Sequence, residues 1–337
     1  MKYIDAFNHF YPAAYFARME GATSGRKDIG KRVRGVPCLH DLDLRLQVVE
    51  RFADKNYVQV LSLAGPPPEA MASGAAAAEM ARIGNDGLAD LVARHPGHFV
   101  GYIASLAMDD PDGAAREAER VLAETGANGI QLYTNVGGKP LDLPEYQQVF
   151  EVAARYDRPV LLHPIRGANM PDYPSEEKSK YEIWWTFGWP YETSVAMARL
   201  VFSGLMDRVP DLKVLAHHLG AMVPYFEGRV GPGWDQLGSR TSDEDLTVLL
   251  EQLKKRPLDY FKDFYADSAV FGSRAATVCG LEFYGPDKVL FASDCPFDPE
   301  KGPGYIRDTI AVLESLDLPE GDLEKIAYRN AEILFGI

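Results

Sequence analysis

Four histidines and one aspartate stand at or just beyond the ends of short apolar runs: His9, His163, His217, His218 and Asp294. Imidazole and carboxylate together are the donors that hold a divalent cation such as zinc while leaving a position open for water or substrate. Singly, each has an ordinary explanation. A histidine at a strand end is commonly a hydrogen-bonded structural residue, and a Ser-Asp pair such as Ser293-Asp294 caps a following helix. The set means more only if the fold carries all of these ends to one place. The other three histidines, His40, His95 and His98, lack the pattern, and they read as structural.

The elements that must carry them are visible as an alternation. Eight β-rich runs occur, Lys2–Asp5, Tyr57–Leu63, His98–Leu106, Gly129–Thr134, Pro159–His163, Leu212–His217, Phe264–Ser268 and Lys288–Ala292. Most are continuously apolar, as parallel strands covered on their outer face must be. Between them, apolar residues recur at helical spacing over Leu42–Ala53, Ala70–Arg94, Asp112–Thr125, Pro144–Tyr156, Glu192–Arg208, Asp243–Lys255, Arg274–Phe283 and Gly304–Leu316, with a closing helix at Glu320–Phe335. Eight strand–helix units predict a (β/α)8 TIM barrel occupying residues 1–337 as one domain, whose strand ends converge on one opening. A doubly wound open sheet would place a glycine-rich turn after the first strand. The turn here reads DAFNHF, without glycine. Two stretches interrupt the alternation: the basic, glycine-rich 12–40, expected to pass over the barrel mouth, and 164–191. The second carries Trp184, Trp185, Phe187 and Trp189, and reads equally as a pocket wall or a subunit interface.

Composition narrows the partners. With 337 residues, 35 Lys plus Arg against 49 Asp plus Glu, and a net charge of -14, the chain repels phosphate backbones and anionic lipid, so nucleic acid and membrane are not expected partners. Three widely spaced cysteines fit no disulfide framework and suggest a reducing cytoplasm. No apolar run approaches the roughly twenty residues of a bilayer span, and the N-terminal MKYIDAFNHF is not a signal peptide.

Long blocks of the sequence resemble the metal-dependent amidohydrolase superfamily, in the branch that contains aminocarboxymuconate-semialdehyde decarboxylase and γ-resorcylate decarboxylase. The resemblance covers nearly the whole chain and is densest over Trp189–Arg229 and Gly285–Phe297, with a further block at Ile130–Asp142. It implies a distorted barrel, a divalent metal, often zinc with manganese as the alternative, non-oxidative loss of a carboxylate, and a homodimer or larger assembly. It also implies His163 and Asp294 as metal ligands and His218 as the catalytic histidine, and it matches Arg229 to an arginine that reaches a substrate carboxylate across a subunit interface.

The chain departs from the branch twice. The first strand usually reads Asp-x-His-x-His or a Glu-x-His version, but here it reads Asp5-Ala6-Phe7-Asn8-His9, and phenyl cannot coordinate a metal. The expected ligands are then His9, His163 and Asp294, unless His217 or Asn8 turns inward. Adjacent strand residues face opposite ways, so His217 and His218 both point inward only if their strand has already ended. The second departure is Ala221, where the resorcylate-type enzymes commonly have Glu. The expected activity is decarboxylation of an aromatic or unsaturated acid, with His218 and Asp294 catalytic and Arg229, Trp189 and Arg166 binding a small anionic substrate. Hydrolysis or hydration at the same site is the nearest alternative, and a non-catalytic organic-acid-binding barrel the third.

Overall fold

A computed structural model of the chain describes residues 1–23 and 27–337. Eight strands form one parallel sheet in chain order: β1 (Tyr3–His9), β2 (Tyr57–Ser62), β3 (Phe99–Ser105), β4 (Gly129–Tyr133), β5 (Val160–His163), β6 (Val214–Ala216), β7 (Tyr265–Asp267) and β8 (Val289–Leu290). The sheet closes on itself. Beyond β8 the chain runs on beside β1, where Ala6 N donates to Phe291 O at 2.9 Å, Asp294 N to Phe7 O at 2.9 Å and His9 N to Cys295 O at 2.8 Å. The expected β/α barrel is the fold found.

Ile4, Val60, Ile103, Leu161, Leu215 and Leu290 point into the barrel, none more than 1% exposed. They cluster with Ala331, Leu334 and Phe335 of the C-terminal helix Asn330–Phe335. That helix is tied to the N-terminal end of the barrel. Asn128 Nδ2 and Arg158 Nη1, just ahead of β4 and β5, donate to Phe335 O at 3.0 and 2.8 Å. One end is thus plugged, and the C-terminal ends of the strands form the open mouth.

Several helices differ from the sequence pattern. The 12–40 stretch contains two helices, Ala13–Thr23 and Lys27–Arg34, in place of an open loop; Ser24–Arg26 of its basic run lie outside the described residues. The helix expected over Asp243–Lys255 is reduced to Thr247–Gln252, and the helix packed there is Pro257–Asp263, with Pro257 in its first turn. The pattern expected over Glu192–Arg208 divides into Gly188–Phe202 and Leu205–Arg208, because Gly204 takes a left-handed conformation at φ 72°.

Candidate active site at the barrel mouth

The register of β1 against β2 shifts between Asp5 and Asn8. Such a bulge re-aims the residues beyond it, and both Phe7 and His9 turn into the barrel. Arg45 holds this strand end from outside. Its fully buried guanidinium donates to Asn8 Oδ1 at 3.0 Å, to His9 O at 2.6 Å and to Cys295 Sγ at 2.7 Å, clamping β1 to the segment that carries Asp294.

β6 ends at Ala216, and the chain then turns sharply, with His218 at φ 58° and Leu219 at φ 52°. Left-handed backbone at non-glycine residues is strained, and such strain is concentrated at functional sites. Gly220 continues the turn at φ 67°, where a Cβ would lie 1.9 Å from Tyr284 Oη. Because the strand has ended, His217 and His218 both turn toward Phe7. The Asp267 carboxylate at the end of β7 holds the turn, accepting from His218 N at 3.0 Å and from the His217 ring. Burial pushes the Asp267 carboxyl up, but the His217 and His218 imidazoles and the backbone N–H of Ala269 together outweigh this and keep it below the usual carboxylate range.

All four imidazoles are anchored through Nδ1. His9 bonds Leu63 O at 3.2 Å, His163 bonds Pro164 O at 2.8 Å, His217 bonds Asp267, and His218 bonds Ala269 O at 2.8 Å. A carbonyl or carboxylate partner keeps the proton on Nδ1 and leaves Nε2 as a lone-pair donor, the arrangement in which histidines bind metals. His9 Nε2 lies 3.2 Å from Asp294 Oδ1, yet out of hydrogen-bond alignment, so the Nε2 atoms of His9 and His217 are both buried without a hydrogen-bond partner. Burial, with His9 and His217 adding to it, holds His163 well below its ordinary pKa and therefore neutral.

The structure brings His9, His163, His217, His218 and Asp294 together; the His9 and His163 ring centroids are 5.3 Å apart. Phe7 sits in their midst, its ring 4.5 Å from His9, 5.6 Å from His163, 3.5 Å from His217 and 5.6 Å from His218, centroid to centroid. It stacks on His217 and occupies the space through which that imidazole would join the others. Among the described residues, no three His, Cys, Asp or Glu side chains enclose a metal position as placed. The donor chemistry of His9, His163 and Asp294, two imidazoles whose Nδ1 is already engaged and one carboxylate, is nevertheless of the kind that suits a divalent cation. Asn8 does not substitute, since its amide donates to Asp5 O and Val60 O and its Oδ1 accepts from Arg45.

Trp189 forms the wall beside His163, ring centroids 6.0 Å apart, and its indole donates to Arg166 O at 3.1 Å. The Arg166 guanidinium is paired with Glu192 at 2.8 Å. Arg32 from the first excursion lies over the Phe297 ring at 4.7 Å and the Trp185 ring at 5.6 Å, so the two long excursions meet above the mouth. Arg229 stands apart from the histidines, exposed and 5.9 Å from the Phe226 ring. Asp267, Phe7's central position and a group of buried polar residues on β4 and after β2 were not singled out from the sequence. Asp267 carried one usable signal, an acidic residue ending a predicted apolar strand.

Barrel and donor set together define a β/α-barrel protein with a histidine–aspartate centre at its mouth. A sequence model of the amidohydrolase family matches residues 4–337, and the chain belongs to that family. It is 32% identical over 302 residues to the γ-resorcylate decarboxylase of Polaromonas sp., covering 85% of each chain. It is 30% identical to the 2-amino-3-carboxymuconate-6-semialdehyde decarboxylase of Dictyostelium discoideum, covering 80% of this chain and 71% of that one. Among solved structures, a dihydroxybenzoic acid decarboxylase from Polaromonas sp., with bound manganese and the inhibitor 2-nitroresorcinol, superposes with a TM-score of 0.78 at 27% identity, covering 99% of this chain and 97% of that one. Among the described residues no helix is long and apolar enough to cross a membrane.

Proposed function

We propose that this protein is a metal-dependent, non-oxidative carboxy-lyase that releases carbon dioxide from an aromatic or unsaturated carboxylic acid. The observation that carries the reading is the set of Nδ1-anchored imidazoles beside Asp294, in a chain related along most of its length to such decarboxylases. His9, His163 and Asp294 would hold the cation, which we assign as manganese ahead of zinc because manganese is the metal bound in the related Polaromonas enzyme. When bound, it supplies positive charge that fixes a substrate carboxylate and draws electron density from it.

The chain's own groups then manage one proton. Drawn from solvent, it reaches the carbon bearing the carboxylate by way of Asp294. The C–C bond breaks with its electron pair restoring the unsaturated system, and carbon dioxide leaves. His218, with Nδ1 held by Ala269 O, takes the complementary protonation state at Nε2; a positioned acid–base group of this kind contributes about 10²–10⁴-fold. Trp189 excludes water from one side. Arg166 contributes a guanidinium already neutralised by Glu192.

We assign Arg229 and the exposed aromatics Tyr181, Phe187, Tyr191 and Tyr225 to the face that pairs two copies, with Arg229 serving the neighbouring copy's mouth. The test is headspace carbon dioxide from the manganese-supplied protein across a panel of hydroxylated benzoates and unsaturated dicarboxylates, with and without chelator. Release that stops on chelation supports the reading. Lactones are offered in parallel, and their opening with no gas from any acid would replace the reading with hydrolysis.

A further inference from the structure

Outside the histidine centre, two of the three cysteines meet at one guanidinium. Cys38 lies on the single turn Pro37–Leu39 near the end of the first excursion, and Cys295 follows Asp294 on the segment beyond β8. Arg45 joins them, its Nη1 lying 2.7 Å from Cys295 Sγ and 4.0 Å from Cys38 Sγ. The turn that carries Cys38 is fixed by Tyr11 N, which donates to Leu39 O at 2.7 Å. The chain beyond Cys295 passes Cys38 again at Gly302, where a Cβ would lie 3.4 Å from Cys38 Sγ.

A buried guanidinium in contact with both sulfurs repels a metal cation and favours a thiolate, the form that attacks oxidants. The two thiols are not equivalent. Cys38 is the outer one, 4% exposed against 0% for Cys295 and next to the exposed Pro37. A hydrogen bond from Cys295, with the Arg45 charge, holds the Cys38 thiol below its usual range against its burial, whereas burial pushes Cys295 up. An electron-rich thiol with a second thiol beside it is the arrangement found in redox-sensitive pairs. Cys279, half-buried on the helix Arg274–Tyr284, has Glu282 and Glu227 as its charged neighbours, and with burial they push its thiol up.

We propose that Cys38 and Cys295 form a reversible oxidation site, closed to a disulfide by hydrogen peroxide and reopened by a dithiol, that weakens metal retention at the neighbouring centre. The Cys38 thiolate attacks one peroxide oxygen; the O–O bond breaks, and the hydroxide released takes up a proton and leaves as water. The Cys295 sulfur then attacks the sulfur of the Cys38 sulfenic acid. The S–O bond breaks, and its hydroxide leaves with the Cys295 thiol proton as a second water. The two thiols have lost two electrons and the peroxide has gained them. A dithiol returns the pair by exchange. The disulfide needs its sulfurs about 2.05 Å apart, so closing it displaces one or both turns. Cys295 is joined to Asp294 by one peptide bond and holds Arg45, which clamps the strand end bearing His9.

Peptide mass spectrometry of the full-length protein tests the bond without turnover. After a small excess of hydrogen peroxide and alkylation under denaturing conditions, free thiols should fall from three to one per chain. The Cys38 and Cys295 peptides should be joined and two hydrogens lighter than their sum, with the alkyl label on Cys279. Manganese affinity, read by equilibrium dialysis, should fall about tenfold on oxidation, the usual scale for disturbing groups that support metal ligands, and return with dithiothreitol. In Cys38→Ser the Cys295 thiol should stay free and peroxide should leave manganese affinity unchanged, with Cys38→Ala as the second arm should the first variant lose its cooperative melt. Sulfinic or sulfonic acid in place of the bond, or a bond to Cys279, overturns the site. A Cys38–Cys295 bond that leaves manganese affinity unchanged overturns its action on the centre. No manganese uptake by the reduced protein overturns that action together with the proposed metal centre, while the bond stands or falls on its mass.

Discussion

The Phe7 ring lies face to face on the His217 imidazole, centroids 3.5 Å apart and planes 22° from parallel. Both side chains are buried, at 1% and 0% exposure, and His217 is held from its other side by Asp267. Phe7 therefore takes the place from which a polar side chain would join His9, and it keeps His217 apart from the remaining donors. An imidazole at position 7 would present a nitrogen where the phenyl presents only carbon. Phe7→His should raise manganese affinity on the order of tenfold or more, about 1.4 kcal/mol, as read by equilibrium dialysis. An unchanged or weaker affinity would show that position 7 does not face the cation.

His218 touches the mouth but anchors no part of the core, being only half-buried. His218→Ala should lower kcat for carbon dioxide release by about 10²–10⁴-fold and leave the urea midpoint close to that of the parent. Full activity in the variant would remove His218 from the chemistry, and no carbon dioxide from parent or variant across the acid panel would point instead to a barrel that binds organic acids without turning them over.

Arg45 is a buried cation whose guanidinium satisfies Asn8 Oδ1, His9 O and Cys295 Sγ at once. Arg45→Ala leaves those acceptors unmet and opens a cavity between β1 and the Asp294 segment. The expected loss is about 3 kcal/mol or more in urea unfolding. A loss below 1 kcal/mol would mean that the clamp is dispensable.

Burial raises the Glu69 carboxyl from its ordinary 4.5 to about 7, with Asp109 adding to the rise and two backbone N–H groups opposing it. The charged and titratable neighbours are Tyr15, Tyr133, Tyr146 and Asp109. Between these two values the folded chain keeps a proton that the unfolded chain has lost. The stabilisation from protonated Glu69 is therefore complete below about pH 4.5 and is lost as pH rises through about 7. Glu69→Gln does not ionise, so its unfolding free energy should fall less than the parent's between pH 4.5 and pH 8. The difference should be on the order of a few kcal/mol. Parallel urea titrations at the two pH values measure it, and identical pH slopes would contradict the assignment.

Local pattern carried the architecture a long way. Continuous apolar runs alternating with helical periodicity define parallel strands that must be covered outside, and a barrel brings His9, His163, His218 and Asp294 to one rim, because strand ends are the quantity that such a fold gathers. What a one-dimensional pattern does not encode is direction. Whether His217 and His218 share a face depended on β6 stopping at Ala216 and on the left-handed turn that Asp267 and Gly220 sustain. Phe7 could be read as a missing ligand, but its station among four imidazoles follows from the β1 bulge and from packing against residues more than two hundred positions away. Cys38 and Cys295 read in sequence as unrelated thiols for the same reason. Their pairing is set by burial and by the guanidinium they share, and those properties exist only once the loops have closed around them.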